Sequence, residues 1–145
     1  MPDNEPHLTA LAFDYGLRQI GVAVGQTITG TASPAALISA RDGMPNWQDV
    51  EKVLQTWQPQ LLLIGLPLNM DGTESEFCQR ARKFARRLEG RFGIKARMVD
   101  ERLSTREAKE RGGYRESYRR DPVDNIAAQI ILESWLRDPQ LGLDP

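Results

Sequence analysis

The sequence predicts an α/β fold: one domain built on a mixed sheet of five strands flanked by helices. Two observations predict it. The chain opens with three short apolar runs separated by turn chemistry, as an antiparallel meander would. It then alternates apolar runs with segments of helical periodicity, giving the order β-β-β-α-β-α-β-α-α. With 145 residues there is enough chain for one sizeable core.

Each element has its own signal. Leu8–Phe13 and Ile20–Val24 are apolar runs of strand length around a turn at Gly16, and Pro34–Ser39 is a third strand. Asn46 is placed to cap a helix running to Trp57, with Asp49 in its first turn. Trp47, Val50, Val53, Leu54 and Trp57 recur at helical spacing, so both tryptophans are expected in the core. Leu61–Ile64 is apolar throughout, which suits a strand covered on both faces. The loop after it, residues 65–72, would lie at a strand's carboxyl end, where open α/β sheets bind ligands. Asn69 in that loop could donate to a phosphate or a base. Thr73-Glu-Ser-Glu76 has capping-box spacing and opens a helix to about Arg91, with Phe77, Ala81, Phe84, Ala85 and Leu88 as its buried stripe. A strand over Ile94–Val99 and a short helix from Ser104 follow. A basic loop then leads to a last helix over Val123–Leu136, opened by Asp121-Pro122. Residues 1–7 are expected to be disordered, 8–137 to form the domain, and 138–145 to be a polar, frayed tail.

Composition narrows the class. The chain is 40% hydrophobic and 27% charged, ordinary for a globular protein, and no apolar run approaches a membrane span. The lone Cys78 excludes an internal disulfide, and a reduced, cytoplasmic protein is the expectation. The net charge of −1 hides a split. Residues 80–120 carry 15 Lys and Arg against 6 Asp and Glu, leaving 4 against 14 elsewhere. Such a concentration of cations suits a polyanion, although solvated amphipathic helices would also show it.

Four carboxylates stand out: Asp14 after the first strand, Asp100 and Glu101 after the last, and Asp124 in the first turn of the final helix. If the first strand is central, these ends converge. Clustered carboxylates repel one another unless a cation neutralises them, and Mg²⁺ or Mn²⁺ takes such oxygen ligands. Each acid also has a plain structural role open to it: Asp124 can favour a helix dipole, and Asp100 can pair with Arg102. Spacing does not choose between Asp100 and Glu101, which point to opposite faces of a strand.

At these residues the sequence resembles the YqgF/RuvX family of Holliday-junction-resolvase-like, pre-16S ribosomal RNA nucleases. The likeness covers Leu8 to Leu136 and rests on Ala12-Phe-Asp14-Tyr-Gly16 with Ile20-Gly-Val-Ala23, Gly65-Leu-Pro-Leu-Asn-Met-Asp-Gly72, Val99-Asp-Glu-Arg-Leu-Ser104, and Val123-Asp124 with Ala127-Ala-Gln-Ile-Ile-Leu132. The resemblance implies a ribonuclease-H-like fold and a divalent-metal nuclease whose catalytic and metal-binding acids are Asp14, Glu101 and Asp124. It is this that selects Glu101 over Asp100. Arg18, Asn69, Arg102, Arg80, Lys83 and Arg87 are expected to grip substrate, the expected partner being structured RNA such as precursor ribosomal RNA. Leu17 stands where the family often has a small hydroxyl residue, and the stretch between Ser104 and Pro122 is shorter than in many relatives. Rival readings are a DNA-junction resolvase using the same acids, and a non-catalytic RNA-binding or transcription-associated factor. A sugar-kinase-type phosphotransferase also opens with Asp-x-Gly, but normally needs two such domains.

Overall fold

A computed structural model describes residues 7–102 and 126–145. Its strands are β1 (Thr9–Asp14), β2 (Gln19–Gln26), β3 (Thr31–Arg41), β4 (Met44–Pro45), β5 (Leu61–Leu66) and β6 (Lys95–Asp100). Its helices are α1 (Trp47–Trp57), α2 (Glu76–Phe92) and α3 (Ile126–Arg137), followed by a 3-10 turn at Pro139–Leu141. The strands form one mixed sheet in the order β4-β3-β2-β1-β5-β6. There are six rather than five because the two residues of β4 fold back onto Ala40 and Arg41. β1 runs antiparallel to β2 and parallel to β5, and β5 runs parallel to β6. The carboxyl ends of β1, β5 and β6 therefore lie along one edge.

The pleat sorts the core into two layers. Leu11, Phe13, Leu62, Ile64 and Met98 face the layer that holds α1 and α2. Ala10, Ala12, Leu63 and Val99 face the layer under α3, with Ile131, Leu132 and Trp135. The small residues of β1 on this second face let α3 sit close to the sheet. At Gly25 a Cβ would come 2.8 Å from a Leu132 methyl.

Asn46 caps α1 as expected, accepting from the backbone N–H groups of Gln48 and Asp49. Only one of the α1 tryptophans is packed: Trp47 lies against Phe84 and Phe92, with the Arg91 guanidinium 4.2 Å above its ring. Trp57, on the last turn of α1, is 39% exposed. The cap of α2 is Ser75 rather than Thr73, because Thr73 closes the preceding loop. The tail is docked, not frayed. Leu143 bridges to Met98 on the outer edge of β6, and Asp144 pairs with Arg97 at 2.7 Å. An open sheet edge is thereby covered.

Gly90 lies inside α2, and a Cβ there would meet nothing within 4 Å. Gly90→Ala is expected to stabilise the fold by up to about 1 kcal/mol by restricting the unfolded chain. A rise in the thermal midpoint checks it.

Candidate active site

The candidate site is built at the carboxyl edge of the three parallel strands. Asp14 ends β1, and by alternation from Ala10 and Ala12 its side chain rises on the α3 face. Glu101 follows β6 on the same face, two residues after Val99. Between them runs β5, where Gly65 pairs with Val99. The missing side chain at Gly65 makes room for the carboxyl group of Glu101. A Cβ at that position would stand 2.6 Å from Glu101 Oε1 and 2.7 Å from Ile131 Cδ1. Gly65 is the site residue that sequence reasoning missed by placing it in the loop, although a glycine inside an otherwise apolar strand signals close approach.

The two carboxyl groups share a hydrogen bond. Burial pushes both upward in pKa. Glu101 reaches about 9, driven first by desolvation and then by the charge of Asp14, while Asp14 is raised by burial and partly held back by the hydrogen bond from Glu101. Glu101 is therefore the partner that keeps the proton and donates it to the Asp14 carboxylate. An acid pair that must hold a proton at neutral pH is a natural cation site, since a hard divalent ion replaces that proton and takes carboxylate oxygens. The donor set present thus fits Mg²⁺ or Mn²⁺. Among the described residues no group of three Asp, Glu, His or Cys side chains is gathered, and Asp124, the expected third acid, lies outside them. So do residues 1–6, the short helix from Ser104, the basic loop and the Asp121-Pro122 opening.

Asp100 has a different task. It binds Arg102 through both carboxylate oxygens, at 2.8 Å from Oδ2 to Nη2 and 3.2 Å from Oδ1 to Nε, and it also accepts from the Arg102 backbone N–H. Arg102 in turn donates to the carbonyl of Met70 at 3.3 Å. The guanidinium thus pins the loop after β5 beside Glu101. That loop closes on itself. Asn69 Nδ2 donates to Thr73 Oγ1 at 3.0 Å, and Thr73 donates its hydroxyl to Asp71 at 2.6 Å. The Met70 side chain at its tip is 90% exposed.

The remaining expected contacts divide by face. Arg18 is exposed in the β1–β2 turn, close in sequence to Asp14. Arg80 is paired with Asp42 at 3.4 Å, next to the Tyr15 hydroxyl, which donates to the carbonyl of Gly43 at 2.9 Å. Lys83 and Arg87 lie on the exposed side of α2, which packs on the opposite face of the sheet from Asp14 and Glu101. The structure brings Asp14, Glu101, Asn69 and Arg102 to one edge and sets the basic helix behind it.

An α/β domain of this topology, with half-buried acids at the carboxyl edge of its central strands, has the ribonuclease-H-type architecture of resolvases. The solved structures it resembles are a Thermus thermophilus RuvC in complex with a Holliday junction substrate (TM-score 0.58, 10% identity, 94% of this chain and 98% of that one) and the fowlpox virus Holliday junction resolvase (TM-score 0.50, 13% identity, 92% and 99%). At those identities the likeness concerns the fold. The family model RuvX, described as Holliday junction resolvase, matches residues 8–138. A Saccharophagus degradans protein named "Putative pre-16S rRNA nuclease" is 55% identical over 132 residues, covering 89% of this chain and 93% of its own length. A protein of the same name from Actinobacillus succinogenes is 52% identical over 139 residues, covering 93% and 99%. The chain belongs to the RuvX family of resolvase-like nucleases. No helix among the described residues is long and apolar enough to cross a membrane.

Proposed function

We propose that this chain is a divalent-metal-dependent nuclease that hydrolyses phosphodiester bonds in structured RNA and trims the 5′ end of precursor 16S ribosomal RNA in the cytoplasm. The observation that carries the proposal is the half-buried Asp14–Glu101 pair, two acids partly desolvated together at the carboxyl edge of the sheet. The substrate follows from the names of the relatives that match across nearly their whole length.

Asp14 and Glu101 would hold Mg²⁺ or Mn²⁺, with Asp124 completing the set. A bound ion of this kind lowers the pKa of a water and neutralises charge developing on the phosphate oxygens. The protein's own contribution is to fix the acids before substrate arrives. Gly65 gives Glu101 its place, and the Asp100–Arg102 pair holds the neighbouring loop rigid. Arg18, exposed in the turn after Asp14, would supply a cation to a phosphate. Arg102 and the Asn69 amide already have partners, so they act on substrate by shaping the loop that meets it.

The test is incubation with precursor 16S RNA, with and without Mn²⁺, followed by mapping of the ends. The wild-type chain should shorten the 5′ end only with metal, whereas Asp14→Asn should bind the RNA and leave it intact. Undiminished cleavage by Asp14→Asn sinks the assignment. Because the family model is described as a junction resolvase, a four-way DNA junction belongs in the same assay. Paired cuts in the junction, with the RNA left untouched, would move the substrate to DNA.

A further inference from the structure

We infer that the exposed stripe of α2 is a docking surface for a double-helical arm of the RNA, separate from the edge where the acids lie. This rests on the reading of the chain as an RNA-acting protein, and it adds where a second part of that RNA sits. Lys83, Arg86 and Arg87 are all exposed and fall at helical spacing on one side of α2. No carboxylate among the described residues forms an ion pair with any of them, whereas Arg80, Arg82, Arg97 and Arg102 all have one. Nearby cations on the same helix are thus occupied in holding the fold, with Arg82 on Glu74 and Arg91 over Trp47. Among the described residues the side chains of the three that remain take part in no ion pair or hydrogen bond.

Position makes this more than an extension of the active site. The buried side of α2, through Ala81, Phe84, Ala85 and Leu88, packs on the sheet face that carries Phe13 and Ile64. The acids rise from the other face. A sheet and a helix some 10–12 Å across therefore separate the stripe from Asp14. One strand held at the acids does not lie on the stripe, but a folded RNA that wraps the edge can place a second arm there.

The chemistry of the stripe selects the occupant. Binding of single-stranded RNA relies on aromatic platforms that stack bases. The exposed side of α2 presents Glu76 in its first turn and then Gln79, Lys83, Arg86, Arg87 and Gly90, with no aromatic among them. Double-stranded RNA is recognised by its shape and its phosphates, which point charges on a rigid helix can meet.

The full chain with Lys83→Gln, Arg86→Gln and Arg87→Gln combined tests this. Its affinity for an RNA hairpin of about 20 base pairs is measured across a salt series without divalent metal, so the result does not depend on whether the chain cleaves. The triple variant should bind the hairpin at least about 10-fold more weakly than wild type, with the slope of log K against log salt smaller by about 2–3. The charge-keeping set Lys83→Arg, Arg86→Lys and Arg87→Lys should retain both, which separates charge from folding. Equal affinity and slope for wild type and triple variant, or no binding of the hairpin by wild type, would make the stripe a merely solvated face. An equal loss on a single strand of the same length would overturn the duplex assignment. Failure of the nuclease reading would show separately, in the end-mapping assay.

Discussion

Gly65→Ala is expected to abolish most cleavage while leaving the protein folded. The added methyl would overlap Glu101 Oε1 and Ile131 Cδ1, both at the ends of side chains that can rotate aside. Moving the Ile131 methyl costs about 1–3 kcal/mol of overpacking, which a domain of this size survives. Moving the Glu101 carboxyl group breaks its hydrogen bond to Asp14 and carries it off the position where a cation would be shared. A displacement of about 1 Å at a reacting centre costs on the order of 100-fold in rate. Circular dichroism and the thermal midpoint should show a folded protein, and single-turnover cleavage should fall by about that factor. Activity within twofold of wild type would mean that Glu101 has no fixed place in the chemistry.

The second large effect is on stability against pH. Glu101 titrates near 9 in the folded protein, against an ordinary value of 4.5, and Asp14 is raised as well. Between those pH values the native state binds more protons than the unfolded chain. Stability from the protonated pair is therefore fully present below the ordinary carboxylate range and is lost as pH rises towards 9. The full Glu101 shift would be worth about 5 kcal/mol between about pH 5 and about pH 9; solvent access to the half-buried pair reduces this to roughly 2–4 kcal/mol for the metal-free chain, a fall in thermal midpoint on the order of 10 °C. Mn²⁺ should reverse the fall, and its stabilisation should grow with pH because it takes the place of the proton. Glu101→Gln, neutral at every pH, should flatten the metal-free profile and blunt the response to Mn²⁺. Identical pH profiles for wild type and Glu101→Gln would show that the pair is charged and hydrated, removing the basis for a cation there.

Both effects turn on contacts that local patterns announce only in part. The periodicities of Trp47–Trp57 and Glu76–Phe92 were legible because amphipathic helices repeat their apolar residues along one side. The apolar run at Leu61 was legible because a strand covered on both faces has no polar positions. Trp57 was misjudged since helical spacing says which side faces inward, not how far the sheet beneath extends. Ser75 displaced Thr73 as the cap because the Thr73 hydroxyl was already committed to Asp71, a competition between neighbours that a spacing rule does not weigh. The two residues of β4 were missed because so short a strand leaves no periodic trace.

By itself, the sequence determined the α/β order, the acids at the strand ends and the surplus of cations between residues 80 and 120, since each is a property of neighbouring residues. Only the tertiary structure decided that Glu101 meets Asp14 across Gly65, that Asp100 turns away to hold Arg102, and that α2 carries its cations behind the sheet. The reason is the pleat. One residue's step along a strand changes the face, and which strand lies beside which is fixed by packing across the whole sheet.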